Sequence, residues 1–275
     1  MIDELTYEAE QRALKAEELK AFSGLNLLHI KRSVEKILDR VNTGGFFTEY
    51  TVHSIDHVNS MLDILSWVVP EKTKKDMSPA DWLMTVLAIY FHDMGLLITQ
   101  KEFEERNKSR FKQFVMDNLY SGDDGEDYES KVKSLYENNI EREKFLYQEF
   151  VREHHAERIY SWITGRNYRD YGKAEEATSE LEDLLSDFDS VFREDLGTIC
   201  KSHHKDNLGD TDIYGVCKPY GNKEKEEVNL QYSAVLLRTA DLLHITRDRA
   251  PSVTFRIINP TDPISQREWS KQNAV

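Results

Sequence analysis

The segment SPADWLMTVLAIYFHDMG, residues 78–95, constrains the fold more than any other stretch of the chain. Ser78 is a helix cap, Pro79 suits the first helical position, and Asp81 places a carboxylate in the first turn. The helix that follows is apolar nearly all round, and Gly95 is a natural stop. A helix without a polar face does not sit on a surface, so this one belongs at the centre with other helices packed around it. It ends in the adjacent pair His92-Asp93. A carboxylate beside an imidazole is costly to bury unless something pairs with both.

Helical periodicity extends through most of the chain. Residues 3–41 are rich in Ala, Glu, Leu and Lys, with apolar positions at Leu25, Leu28, Val34, Ile37, Leu38 and Val41, which predicts one or two amphipathic helices. Thr43-Gly44-Gly45 stops them. Another helix is predicted over 55–68, and a buried one over 232–246. SGDDGEDYES at 121–130 has the composition of a surface loop, residues 165–177 read as an excursion between helices, and residues 211–229 form a long irregular connection. After Pro251, SVTFRIINP reads as a short strand. The predicted fold class is all-α, a helical bundle with a short strand or hairpin near the C-terminus. It is organised as a single domain over 1–275: an N-terminal helical segment (1–45), a core (50–250) and a C-terminal extension (251–275).

Net charge excludes some functions. The chain of 275 residues carries 36 basic and 50 acidic side chains, a balance of −14. A general grip on DNA or RNA needs a basic surface for counterion release, so charge argues against nucleic acid as a partner. Small anionic substrates stay open, because a bound cation inverts the local field. No apolar run approaches the length of a membrane helix, which argues against a membrane partner. The N-terminus is charged throughout, and the two cysteines, Cys200 and Cys217, form no disulfide framework. These features together predict a cytoplasmic protein.

The nine histidines carry the functional argument. His53 and His57 sit four apart at the start of a helix. His92-Asp93 ends the central helix. His154-His155 lies in REHHAERIYSWI and His203-His204 in ICKSHHKDNL, while Asp241 sits among apolar neighbours in LLRTADLLHI. Imidazole and carboxylate are the ligand set of Zn, Mn, Fe, Ni and similar ions. Ligands this far apart in sequence form no local finger and must be gathered in the interior of a bundle. A metal would accept His92 and Asp93 together, and Asp93 has two oxygens with which to bridge two ions. His29 and His244 read as structural, Cys200 as a buried small hydrophobe, and Tyr90 and Phe91 as core. Arg158 reads as an ion-pairing residue at the surface or behind the ligands.

The pattern His57, His92-Asp93, Asp241 resembles the HD superfamily of metal-dependent phosphohydrolases. HDMG is similar to the family's HD(I/L)G turn and RTADLLHITRDR to its closing helix, and the likeness spans roughly residues 50–250. The resemblance implies an HD-domain bundle with divalent metal bound by His57, His92, Asp93 and Asp241. His154-His155 and His203-His204 resemble subgroups with extra histidines, such as the HD-GYP phosphodiesterases, although the GYP residues themselves are absent. That likeness implies a second metal held by His155 with His203 or His204, two ions per chain, drawn from Mn, Fe, Ni, Mg or Zn. HSIDH is similar to the HNxxH segment of cyclic-nucleotide phosphodiesterases, by which His57 is the ligand and His53 a general acid. The rival match, to nucleotidases of the superfamily, makes His53 the ligand.

What the resemblance implies for function is hydrolysis of a nucleotide, cyclic nucleotide or related phosphoester. A metal-activated water would attack phosphorus and His53 would protonate the leaving group. Lys201, Lys205, Arg238 and Arg247 are near the ligand candidates in sequence and each could bind phosphate. Arg238 could equally pair with Asp241 or another carboxylate. Two other readings are a single-strand nuclease of a bacterial defence system, and a nucleotide-sensing module without turnover. The chain also resembles HD domains that stand upstream of an Hsp90-like ATPase domain, which implies a downstream ATPase partner domain in a longer protein.

Overall fold

The computed structural model describes residues 5–43, 46–47, 54–120, 139–221, 226–244 and 263–273. The helices in chain order are α1 (Glu8–Ala13), α2 (Leu27–Thr43), α3 (Ile55–Val68), α4 (Glu71–Asp76), α5 (Pro79–Phe91), α6 (Gln100–Glu104) and α7 (Phe111–Tyr120). They continue with α8 (Asn139–Thr164), α9 (Tyr168–Tyr171), α10 (Glu175–Leu184), α11 (Ser190–Ser202), α12 (Leu230–Leu243) and α13 (Pro263–Asn273). The one sheet among the described residues is a two-residue antiparallel hairpin, β1 (Lys218–Pro219) with β2 (Glu227–Val228), pairing Lys218 with Val228 and Pro219 with Glu227. The fold is an all-α bundle with a short hairpin. The predicted strand at 252–260 and the loop at 121–130 lie outside the described residues.

α5 begins as its sequence requires. Ser78 Oγ accepts from Asp81 N at 3.0 Å, and Asp81 Oδ2 accepts from Ser78 N at 2.8 Å. Every residue from Leu83 to Phe91 is fully buried. Helices α1, α3, α11 and α12 pack around it. Burying each large apolar side chain of this kind contributes about 1.5–3 kcal/mol, so α5 fixes the centre of the bundle and the position of its own C-terminal end. There, residues 94–96 form a 3-10 turn lying against α8, and α8 packs along α11.

The N-terminal segment holds two α-helices, within the one or two predicted, but with an interruption that the periodicity did not show. It breaks into α1, two 3-10 turns (Leu14–Glu18 and Lys20–Phe22) and then α2. Side-chain capping causes the break. Asn26 Oδ1 accepts from His29 N at 2.9 Å, and Glu17 Oε1 accepts from Leu27 N at 2.9 Å, so α2 starts afresh at Leu27. Glu10 of α1 is buried between Lys31 Nζ and Tyr90 Oη, each 2.6 Å from its Oε1, which ties α1 to α2 and α5.

The helix over 232–246 was expected to be buried. It is α12, and it is buried on one side only: Leu236, Leu237 and Ala240 are inside, whereas Leu242 and Leu243 are 56% and 45% exposed. The helical period accounts for this. With Ala240 turned to the core, Asp241 and His244 fall on the side of the site and Leu242-Leu243 on the solvent side. Among the described residues, no helix is long and apolar enough to cross a membrane.

Candidate metal centre

Three histidines are oriented by the same local device. His92 Nδ1 contacts the carbonyl oxygen of Ile89 at 2.9 Å, and His155 Nδ1 that of Arg152 at 2.8 Å. His203 Nδ1 contacts that of Cys200. In each case the partner lies three residues earlier, so the ring folds back on its own helix. A carbonyl only accepts, so each Nδ1 carries a proton, and Nε2 offers a lone pair wherever the ring is neutral. His92 follows α5 and His203 follows α11, where backbone carbonyls lack helical partners.

The freed nitrogens converge. Ligand atoms of His57, His92 and Asp241 all lie within 4.8 Å of one another, and so do those of His155, His203 and His204. Asp93 joins the two groups. Its Oδ2 is 3.4 Å from His57 Nε2 and 3.2 Å from His92 Nε2, and its Oδ1 is 3.6 Å from His155 Nε2. Asp241 Oδ1 is 3.4 Å from His57 Nε2. Asp93 sits at φ −93, ψ −4, in the sparsely populated bridge region.

These residues fit divalent cations. His155 Nε2 and His203 Nε2 face each other at 2.9 Å, and with both Nδ1 atoms donating to carbonyls a shared cation satisfies the pair. A proton is a poor candidate. Burial, reinforced by the neighbouring histidines, pushes His155 well below its usual range and His203 down to about 4. In the other group His92 Nε2 is buried and makes no hydrogen bond. Burial opposes a charge there, but Asp93 and Asp241 overcome it and raise His92 to about 9. Burial also raises the Asp241 carboxyl, yet His57 and His92 beside it hold it well below the ordinary carboxylate value. One half of the site thus stores positive charge on a proton, and the other is an uncharged cluster of lone pairs. A metal ion satisfies both through ordinary His/Asp ligation.

The structure brings His57, His92, Asp93, His155, His203, His204 and Asp241 together. Asp241 is less enclosed than its apolar neighbours in sequence suggest, with 29% of its side chain exposed. His204 is exposed as well. His53 and Arg247 lie outside the described residues. Lys201 is half-buried with Nζ 4.2 Å from the Tyr160 ring centroid, and burial lowers its pKa. Arg238 donates to the Lys205 carbonyl, and Lys205 Nζ pairs with Glu157 at 2.6 Å. His154 is not with its neighbour: its Nδ1 contacts the Phe150 carbonyl and its ring packs on Phe114, Phe150 and Tyr171.

Two residues support the ligands from behind: His244, which the sequence marked only as structural, and Arg158, which it left either at the surface or behind the ligands. His244 stacks on His57 with ring centroids 4.9 Å apart, and the two Nδ1 atoms are 2.7 Å from each other. One of them must donate, which fixes His57 with Nε2 toward Asp93 and Asp241. The signal was available in the spacing of Asp241 and His244, which share a helix face at i and i+3. Of the two places predicted for Arg158 the structure has the second: it is fully buried and ion-paired behind the ligands. It donates to the carbonyls of Gly95 at 2.7 Å and Leu97 at 2.9 Å and pairs with Glu102. Its place one helical turn beyond His155 was the only hint in the sequence. No curated protein and no solved structure matches the chain. The HD-CE family model matches residues 47–275, a span that holds every residue of this His/Asp centre, and the chain belongs to the HD-CE family.

Proposed function

We propose that the chain is a metal-dependent phosphohydrolase that uses two ions to hydrolyse a nucleotide or related phosphoester. The observation that carries this reading is Asp93, whose two oxygens face separate groups, Oδ2 toward His57 and His92 and Oδ1 toward His155. His57, His92 and Asp241 with Oδ2 would hold one ion; His155, His203 and His204 with Oδ1 would hold the other. Mixed imidazole and carboxylate ligands suit Mn, Fe, Ni or Zn. When bound, such a pair supplies Lewis acidity and an acidified water at neutral pH.

The rest falls to the chain's own groups. The Nδ1 anchors on Ile89, Arg152 and Cys200 hold three rings in place before substrate arrives, which lowers the reorganisation that the reaction requires. The exposed sides of His204 and Asp241 mark where a phosphoryl group would enter. Lys205, partly exposed and paired with Glu157, can exchange that partner for a phosphate oxygen. The net charge of −14 favours a small substrate over a long polyanion.

The test is metal content per chain in the wild type and in Asp93→Ala, followed by a phosphoester panel with the metal found. About two equivalents in the wild type, near none in the variant, and metal-dependent hydrolysis of at least one nucleotide are expected. Retention of both metal and hydrolysis by Asp93→Ala would sink the proposal.

A further inference from the structure

A second cleft, of about 180 Å³, lies between α6, α8 and the loop around α9, and no ligand of the metal centre lines it. Its lining is unusual for so acidic a chain. Lys101, Arg106, Lys108, Arg169 and Lys173 all face it, against the carboxylates Glu102, Glu105 and Glu175. Five positive charges against three negative leave a balance of +2, within a protein of −14. Arg106 is already held by Glu143 and the Phe103 carbonyl, but the other four cations are available. Lys101–Glu175 and Lys108–Glu105 are exposed ion pairs, a kind that contributes little and exchanges readily. Among the described residues Arg169 has no partner, and Lys173 rests on the Tyr168 ring, 4.5 Å from its centroid.

The floor of the cleft connects to the metal turn. Glu102 Oε1 accepts from Tyr147 Oη at 2.8 Å and from Arg158, while Glu102 Oε2 is buried with no hydrogen bond. Gly172, at φ +86, lies directly on this network: a Cβ there would fall 2.4 Å from Glu102 Oε1 and 2.8 Å from Arg158 Nη1. Arg158 also accepts the load of the other side, donating to Tyr171 O on the lip and to Gly95 O and Leu97 O beside His92-Asp93.

We propose that this cleft binds a small phosphate monoester, the size of a short phosphorylated polyol, and that occupancy tightens the His92–Leu97 turn through Arg158. A monoester carries about −1.5 to −2 at neutral pH, which matches the +2 lining, and its three oxygens suit several separate cations. This reading does not depend on the metal centre being catalytic.

The probe is glycerol 2-phosphate, titrated by calorimetry into the full chain. Binding is expected in the wild type, in the chelator-treated wild type and in Asp93→Ala alike, with none for glycerol. Lys108→Glu combined with Arg169→Glu, both at exposed positions, should weaken it by about tenfold or more. Hydrogen exchange at residues 94–98 should slow when the probe is bound. No binding, or binding lost with Asp93→Ala and on chelation but kept in the double variant, overturns the site and assigns the phosphate to the metal centre. Binding that leaves exchange at 94–98 unchanged overturns the coupling. Equal affinity for acetate would overturn the assignment to a phosphate monoester.

Discussion

A side-chain carbon on Gly95 would lie 2.1 Å from the carbonyl oxygen of His155. The turn that follows His92-Asp93 therefore touches the backbone of the helix that supplies the second group of ligands, and only glycine allows it. This contact holds the turn that carries Asp93 against the helix that carries His155. Gly95→Ala must push the turn and α8 apart, because a backbone carbonyl cannot move aside as a side chain can. A loss of about 1–3 kcal/mol is expected from the overpacking, together with a fall in metal content toward one equivalent. Urea denaturation and elemental analysis check both. A variant of wild-type stability with full metal would show that the contact does not position the ligands.

Arg158 holds the same turn from below. It is fully buried, and so is its partner Glu102. Breaking such a pair from one side leaves an uncompensated charge, which costs about 3–5 kcal/mol. Arg158→Met should reach that range, and adding Glu102→Gln should recover a large part of it, since the stranded carboxylate is then gone. A double-mutant cycle in urea measures the coupling. Additive losses would mean that the two residues do not stabilise each other.

How much of this was legible in the sequence depended on distance along the chain. The cap at Ser78-Asp81 and the burial of α5 follow from local patterning and appear as predicted. The fold class follows from periodicity, and the His/Asp set from residue type. The start of α2 at Leu27, after Asn26, was also local, but it was hidden by a helical composition on both sides of the break. What could not be seen were pairings between distant segments. His57 and His244 are 187 positions apart, and nothing in either neighbourhood points to the other. The close approach of Gly95 to His155 is likewise a property of packing, although the glycine was visible as a helix stop.

The His57–His244 contact yields its own expectation. His244 lies behind His57, fixing the ring through Nδ1 rather than through a carbonyl as the other histidines do. Removing such a supporting partner lowers metal affinity by about 10–100-fold. His244→Ala should show this in a chelator competition assay, with His244→Asn losing less because an amide can still hydrogen-bond Nδ1. Unchanged affinity in His244→Ala would make the stacking incidental.

The site also predicts how the metal-free chain responds to pH. His92 is raised to about 9, against burial, by Asp93 and Asp241, whereas an unfolded His titrates near 6.5. Its contribution is full below about 6.5 and disappears as pH rises through about 9. His203 is moved the other way, to about 4, by burial and the charge on His92. Its contribution is full above about 6.5 and is lost as pH falls toward 4. The metal-free chain should thus be most stable near pH 6.5, losing on the order of 3 kcal/mol from His92 toward high pH. Metal ligation needs His92 neutral, so ions compete with its proton and bind more tightly as pH rises to about 9. Thermal melts of metal-free and reconstituted protein, from about pH 5 to 9.5, should show their Tm difference widening steadily above neutrality. A difference that is constant across that range would mean that His92 holds no proton for the metal to displace.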